Sequence, residues 1–248
     1  MTAERPSRRL DEELVARGLV PSRARAKEAI ENGQVMVNGA TARKPSQAVV
    51  PAADIAIDDL ATRYVSRAAW KLVHGLDHFG IDVKGRHCLD LGASTGGFTQ
   101  VLLERAAAHV TAIDVGHGQM DRALAGDARV TLREGINARH LTPGDMPDDV
   151  SLIVCDVSFI SLKLALPPVL GLAHPGTRLL ALIKPQFEVG KDALGKGGIV
   201  RDPALQNRVC LDISDFILQS GWWVLGFTPS PISGGDGNQE FLIAAGRT

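Results

Sequence analysis

The 248-residue sequence predicts an α/β protein: a mostly parallel, seven-stranded sheet with helices on both faces, preceded by a small α+β domain. Three observations carry this. From about residue 86 onward, apolar runs of strand length alternate with segments of helical period. The last two strand-like runs, "WWVLGFTPS" and "EFLIAAGR", have no helix between them, so they form an antiparallel hairpin at one edge. The character of the chain changes near residues 58 to 65, which separates a helix-rich first part from the alternating second part.

The elements follow in order. Leu10, Leu14, Val15 and Leu19 have helical spacing and precede a turn at Gly18 to Pro21. Ser22 is placed to cap a second helix ending at Gly33. "QVMVNG" alternates like a strand and runs into an Asn38-Gly39 turn, and "DIAIDD" is a further short strand. Residues 59 to 65 read as a linker between domains 1–58 and 66–248. Beyond it, Leu72, Val73, Leu76 and Phe79 mark one face of a helix. "HCLDLG" is the first strand of the sheet and "GGFTQVLLERA" a helix. "HVTAID", "RVTLRE" and "VSLIVCD" are strands two to four. A helix starts at about Ser161, "TRLLALIK" is strand five, and "PALQNRVCLDISDFILQSG" is a long helix before the final hairpin.

Bulk composition excludes several classes. The chain is 45% hydrophobic and 22% charged with a formal net charge of −1, which is ordinary for a globular protein and not globally basic. Cys88, Cys155 and Cys210 form no C-x-x-C pair, so neither a zinc site nor a disulfide framework is expected. The seven histidines lack metal-ligand spacing. No signal-peptide core is visible and no apolar run reaches the about 18 residues of a membrane span, so the expectation is a reduced, cytoplasmic protein without a membrane partner. Trp222 and Trp223 open a strand and are expected in core or edge packing.

"CLDLGASTGGFTQVLL" is the strand-turn-helix that a nucleotide-like ligand uses. No lysine follows Gly96-Gly97, which argues against a triphosphate loop. The spacing of Gly92, Ala93, Ser94 and Gly96 only approximates a dinucleotide fingerprint, although Asp114 ends strand two as a ribose-binding carboxylate would. Asp90, two residues before Gly92 and expected at the tip of strand one, discriminates. A carboxylate there repels a pyrophosphate but attracts the ammonium and sulfonium charges of S-adenosylmethionine. The candidate cofactor residues are therefore Asp90, Gly92, Ser94, Thr95, Gly96, Gly97, Phe98, Asp114 and Asp156.

Four polar residues fall where an open parallel sheet places its ligands, at the carboxyl ends of the strands. Asp156 ends strand four and Lys184 ends strand five. Glu240 begins the reversed last strand and so lies at the same rim. Lys71, on the helix before strand one, reaches that rim if its helix packs across it.

Two resemblances follow. Arg9-Leu10-Asp11, Ser22-Arg23, Ala26, Ile30, Gly33, Val35, Val37, Asn38 and Gly39 resemble the small RNA-binding domain named after ribosomal small-subunit protein four. That likeness implies contacts to structured RNA through Arg8, Arg9, Arg23, Arg25, Lys27, Arg43 and Lys44. The first 50 residues hold nine Lys/Arg against six Asp/Glu, and phosphate contacts suit that balance. Lys71, Asp156, Lys184 and Glu240 match the Lys-Asp-Lys-Glu tetrad of FtsJ-type ribose 2'-O-methyltransferases. With "GASTGGFT", "DVSFISL" and "KPQFEVGK", nearly the whole chain resembles the TlyA family, also called hemolysin A.

The resemblance implies a seven-stranded, Rossmann-like methyltransferase sheet, S-adenosylmethionine as cofactor, and 2'-O-methylation of cytidine ribose in 16S and/or 23S ribosomal RNA. Ribosomal RNA and ribosomal subunits would be the partners of a monomeric enzyme. A lysine base at position 184 needs desolvation or a nearby cation, which Lys71 would supply, whereas Asp156 and Glu240 favour charged lysines. A protonated Lys184 steadying the developing alkoxide is the alternative. The glycine-rich loop after strand five, with Lys191, Lys196 and Arg201, is expected on RNA phosphates. Competing whole-chain readings are a non-enzymatic RNA-binding or ribosome assembly factor, a pore-forming hemolysin, and a dehydrogenase, the last disfavoured by Asp90. The junction near Asp59 to Tyr64 would couple RNA docking to cofactor affinity.

Overall fold

A computed structural model describes residues 7–31, 33–57, 63–190 and 193–248. Most of the 59–65 junction and Lys191 lie outside these residues. The chain divides into two compact units, Met1–Tyr64 and Val65–Thr248.

In the first unit, α1 (Leu10–Ala16) and α2 (Arg23–Glu31) pack together. Leu10, Leu14, Val20, Ala26, Ile30, Val35, Val37 and Val49 form its core. Ser22 Oγ accepts from Arg25 N–H at 3.3 Å, the capping contact expected of it. The strands are β1 (Arg8–Arg9), β2 (Val35–Val37), β3 (Ala40–Thr41), β4 (Ala48–Val49) and β5 (Ile55–Ile57). They pair as β1 with β4 and as β3-β2-β5. Asn38 at φ 51° and Gly39 at φ 78° make the tight turn from β2 to β3 that this dipeptide predicts. The strand at Arg8–Arg9 has no periodicity to announce it. It exists because β4 supplies a distant pairing partner, with Arg8 opposite Val49 and Arg9 opposite Ala48.

The second unit holds α3 (Ala68–Phe79), β6 (His87–Leu91), α4 (Gly97–Glu104), β7 (His109–Asp114), α5 (Arg122–Ala125) and β8 (Val130–Glu134). It continues with β9 (Val150–Cys155), α6 (Leu162–Ala165), α7 (Pro167–Leu172), β10 (Arg178–Ile183), α8 (Pro185–Glu188), α9 (Pro203–Gln219), β11 (Trp222–Pro229) and β12 (Phe241–Arg247). The sheet order is β11-β12-β10-β9-β6-β7-β8. All neighbours are parallel except β12, which runs antiparallel to both β11 and β10. The final hairpin is thus at one edge, with the reversed strand inserted beside β10 and β11 outermost.

Two local expectations are corrected. On α3 the buried side is Ala69, Lys71, Leu72, Gly75 and Leu76, whereas Val73 and Phe79 flank it. A Cβ on Gly75 would stand 2.9 Å from Leu180 and 3.2 Å from Leu242, so the missing side chain lets α3 press against β10 and β12. The helix predicted from Ser161 is two short ones. Ser161 does cap α6, accepting from Lys163 N–H, but Pro167 restarts the helix as α7.

Trp222 is buried and donates to Leu170 O, while Trp223 lies under the Arg178 guanidinium, 4.5 Å from its ring centre. Cys88, Cys155 and Cys210 are buried free thiols, each pushed up to about 12 by burial. No described helix is long and apolar enough to cross a membrane.

Candidate active site

The strand order reverses between β6 and β9, because the chain winds from β6 to β8 on one side and resumes on the other. At that point a cleft of about 750 Å³ opens over the carboxyl ends of β6, β7 and β9. This is where an open α/β sheet binds ligands, and the volume suits a nucleoside-sized one. A smaller cavity of about 160 Å³ adjoins it, lined by Thr95, Gly97, Phe98 and Lys184 among others. Gly92, Ser94, Asp156 and Ser158 line both.

The glycine turn builds the wall between β6 and α4. Gly92 sits at φ 85°, and a Cβ there would stand 2.9 Å from the Asp156 carbonyl oxygen, so only glycine lets β6 and β9 close at this level. Ser94 and Gly96 are also left-handed, at φ 48° and 95°. Asp114, at the end of β7, accepts from Ser94 N–H at 2.8 Å and from Gly116 N–H at 2.7 Å. Each of its oxygens keeps a lone pair for a ligand hydroxyl. Of the predicted cofactor residues, Gly92, Ser94, Asp114 and Asp156 line the larger cleft, and Thr95, Gly97 and Phe98 the smaller. Gly96 lines neither; Leu124 stands 2.6 Å from where its Cβ would be.

Asp90 differs from expectation. It is not at the strand tip but wholly buried beneath the turn, because α4 folds back over it. Its Oδ2 accepts from Thr99 Oγ at 2.7 Å, and Oδ1 has no partner. Burial pushes the carboxyl up to about 7, with Asp156 and Asp114 adding to the effect. The folded chain therefore holds this proton more tightly than the unfolded chain. The resulting stability is fully present below the ordinary carboxyl range and is lost as pH rises through about 7. Asp90→Asn is therefore expected to gain stability over the parent as pH rises, by up to about 1.4 kcal/mol per pH unit between pH 4 and 7. Urea unfolding at pH 5 and pH 8 checks this; a gap independent of pH would refute it.

The four rim residues come together as two ion pairs. Lys184 follows β10, and its Nζ stands 2.7 Å from Asp156 Oδ1, which follows β9. That contact is a charge contact, and the directed hydrogen bond of Lys184 goes to Ser158 Oγ at 2.6 Å. Lys71 Nζ donates to Glu240 Oε2 at 2.5 Å, with both side chains buried. The register Ile183↔Phe241 puts Lys184 and Glu240 beyond facing residues of neighbouring strands, so both pairs share one rim. Glu240 begins β12 where the parallel strands end, as its reversed direction predicts.

Sequence reasoning passed over Ser158 and Phe159. Ser158 takes the Lys184 bond, and Phe159 lines the cleft 90% exposed at φ 64°. A bulky residue in the left-handed region is costly and marks functional segments. Its ring, tilted against Phe187, leaves a face on which a base can stack. The signal for both was the polar-aromatic step right after a strand-ending aspartate.

In the first unit, Arg9 pairs in a fork with Asp11, which Arg23 also engages, and these cations hold the Asp11 carboxyl at about 2. Arg25 donates to Tyr64 O and Lys27 stands 3.8 Å from Glu31. Arg8, Arg43 and Lys44 are exposed. Lys196 and Arg201 are exposed in the second unit.

Two family models match the chain: FtsJ-like methyltransferase over residues 64–247 and S4 domain over residues 8–55. A curated relative from Mycobacterium tuberculosis, 16S/23S rRNA (cytidine-2'-O)-methyltransferase TlyA, is 47% identical over 95% of this chain and 88% of its own length. Hemolysin A of Brachyspira hyodysenteriae is 38% identical over 94% of this chain and 98% of its own. A solved structure from Streptococcus thermophilus, provisionally described as a hemolysin, superposes with a TM-score of 0.77. It is 37% identical and covers 98% of this chain and 89% of that one.

Proposed function

We propose, on the premise that the chain belongs to the TlyA family of FtsJ-like methyltransferases, that it methylates a cytidine ribose 2'-hydroxyl in 16S and/or 23S ribosomal RNA. S-adenosylmethionine is the donor in this reading, and the enzyme works as a cytoplasmic monomer on ribosomal subunits. The observation that carries the reading is the pair of lysine-carboxylate contacts on the rim of a cleft walled by a glycine turn. The S4-type first unit supplies RNA affinity, with Arg8, Arg43 and Lys44 exposed at its surface and Arg9, Arg23, Arg25 and Lys27 steadied by neighbours. Lys196 and Arg201 add phosphate contacts from the second unit.

The cofactor fits the residues present. Gly92, Ser94 and Asp114 line the cleft, and each Asp114 oxygen, with one backbone N–H bound, keeps a lone pair that would hold a ribose hydroxyl, while the buried Asp90 carboxyl stands beneath the turn and lines neither cavity. When bound, S-adenosylmethionine supplies an electrophilic methyl on a sulfonium. The chain supplies position and charge. An ammonium has three N–H donors; at Lys184 one faces Asp156 and one Ser158, which leaves one for the acceptor oxygen. Lys184 then holds the ribose oxygen and steadies the negative charge that grows on it, while Asp156 fixes Lys184; the hydroxyl proton leaves to solvent water through the open cleft as the new O–C bond forms and the methyl's bond to sulfur breaks. An ion-paired lysine of this kind supports alkoxide stabilisation over general-base action. Lys71 and Glu240 add charge and orientation at the neighbouring strand end.

The test is methyl transfer from labelled S-adenosylmethionine to separated small and large ribosomal subunits, followed by mapping of the modified nucleotide. Label in a 2'-O-methylcytidine is the expected outcome. No label on either subunit, with donor bound, would leave the assembly-factor reading in its place.

A further inference from the structure

Lys196 and Arg201 sit on a closed, glycine-rich turn. Gly195 N–H donates to Ile199 O at 3.1 Å and Gly198 N–H to Gly195 O at 3.0 Å. Gly197 and Gly198 lie at φ 79° and 74°. A segment this rich in glycine has much freedom to lose, so its fixed shape needs an external hold.

Asn238 provides the hold. Its side chain is completely buried. Oδ1 accepts from Val200 N–H at 2.9 Å, and Nδ2 donates to Gly198 O at 3.2 Å. Gln206 of α9 secures Val200 from the other side, donating to its carbonyl at 2.7 Å. The main chain of Asn238 is itself anchored, accepting from Gly234 N–H at 2.8 Å. Two residues later Glu240 receives Lys71. Glu240 also packs on the same short turn: a Cβ on Gly234 would fall 2.5 Å from its Oε1. An amide offers one acceptor and a donor at this spacing. Aspartate keeps only the acceptor, and alanine neither.

We propose that Asn238 is a positioning residue for methyl transfer: it keeps the basic Gly195–Arg201 turn in register with the strand end that carries Glu240. An RNA phosphate gripped by Lys196 or Arg201 then fixes the distance from the docked strand to the reacting ribose. This rests on the RNA methyltransferase reading above. Asn238 touches no reacting atom; it sets where the substrate's grip lies relative to the tetrad.

The test uses the full chain with Asn238→Ala and Asn238→Asp, measuring single-turnover methyl transfer at saturating ribosomal RNA. Donor affinity is measured in parallel by titration calorimetry. For Asn238→Ala, the rate at saturation is expected to fall about 10²-fold, because misplacement of about 1 Å has that effect. Donor affinity stays within about two-fold, since every cofactor-cleft contact is retained. Asn238→Asp, which keeps the bond from Val200, falls between parent and alanine variant. A purely structural amide would lower the melting temperature yet leave the saturated rate unchanged, and that result overturns the proposal. If the parent chain itself transfers no methyl, the functional reading has failed, which is distinguishable from failure at Asn238. Should Asn238→Ala not fold, Gln206→Ala removes the opposite hold on Val200. Its saturated rate is expected to drop in the same direction, and an unchanged rate overturns the proposal equally.

Discussion

Lys184→Ala is expected to abolish methyl transfer, lowering the single-turnover rate by at least about 10³-fold, while S-adenosylmethionine binds within a few-fold of the parent affinity. The two halves of the expectation have separate physical sources. Lys184 stands at the last position before α8 with φ −113° and ψ 97°, an extended geometry that the following Pro185 enforces. Its ammonium is held between Asp156 and Ser158 and is almost wholly buried. Alanine removes the group that would hold the acceptor oxygen. It leaves the Asp156 carboxylate without its cation, so the local charge now opposes a developing alkoxide. The glycine turn and Asp114, which would bind the donor, make no bond to Lys184 and keep their shape. Lys184→Arg restores charge but not the outcome, since a planar guanidinium cannot occupy the slot of a compact ammonium. Rapid-quench methyl transfer and calorimetry together make the measurement. Near-parental turnover by Lys184→Ala would sink the assignment; loss of donor binding alongside turnover would show a structural role instead.

Much of this was legible in the sequence for a definite reason. Strand and helix periods alternate strongly from His87 onward, and alternation almost compels a parallel sheet with crossovers on both faces. A missing helix before the last strand is enough to reverse it, and that reversal is what brings Glu240 to the rim of Lys184. Other features were illegible because they arise from distant contacts. No spacing says which lysine meets which carboxylate; only the packing of α3, let in by Gly75, assigns Lys71 to Glu240 and leaves Asp156 for Lys184. Asp90 read as a rim carboxylate because it precedes the glycine turn, but the fold-back of α4 seals it under Thr99. The burial of Asn238 had no local signal at all, since its partners lie 38 and 40 residues earlier in the chain. Arginines that counted toward a basic surface are partly committed to Asp11. Charge counting sees composition and not partners.

The second large effect concerns Lys71 and Glu240, whose charged groups are 7% and 3% exposed. Lys71→Met leaves the Glu240 carboxylate buried without its cation, and such a break costs about 3–5 kcal/mol of folding stability. Urea unfolding of the single variant should show that loss, and its methyl transfer should fail as well. That result alone is ambiguous, because a destabilised enzyme can fail for want of folded protein. The double variant Lys71→Met/Glu240→Leu resolves it. Removing both charges together removes the desolvation cost of each, so stability is expected to return to within about 1 kcal/mol of the parent or to exceed it. The apolar pair would rest against Gly75, Leu180 and Leu242, which already line the contact of α3 with β10 and β12. Methyl transfer should stay absent in this well-folded chain if the pair contributes charge and orientation to the site. Recovery of transfer with stability would make Lys71 and Glu240 a fastening between α3 and β12 and reduce the working tetrad to Asp156 and Lys184. A loss below about 1 kcal/mol in the single variant would contradict the burial itself.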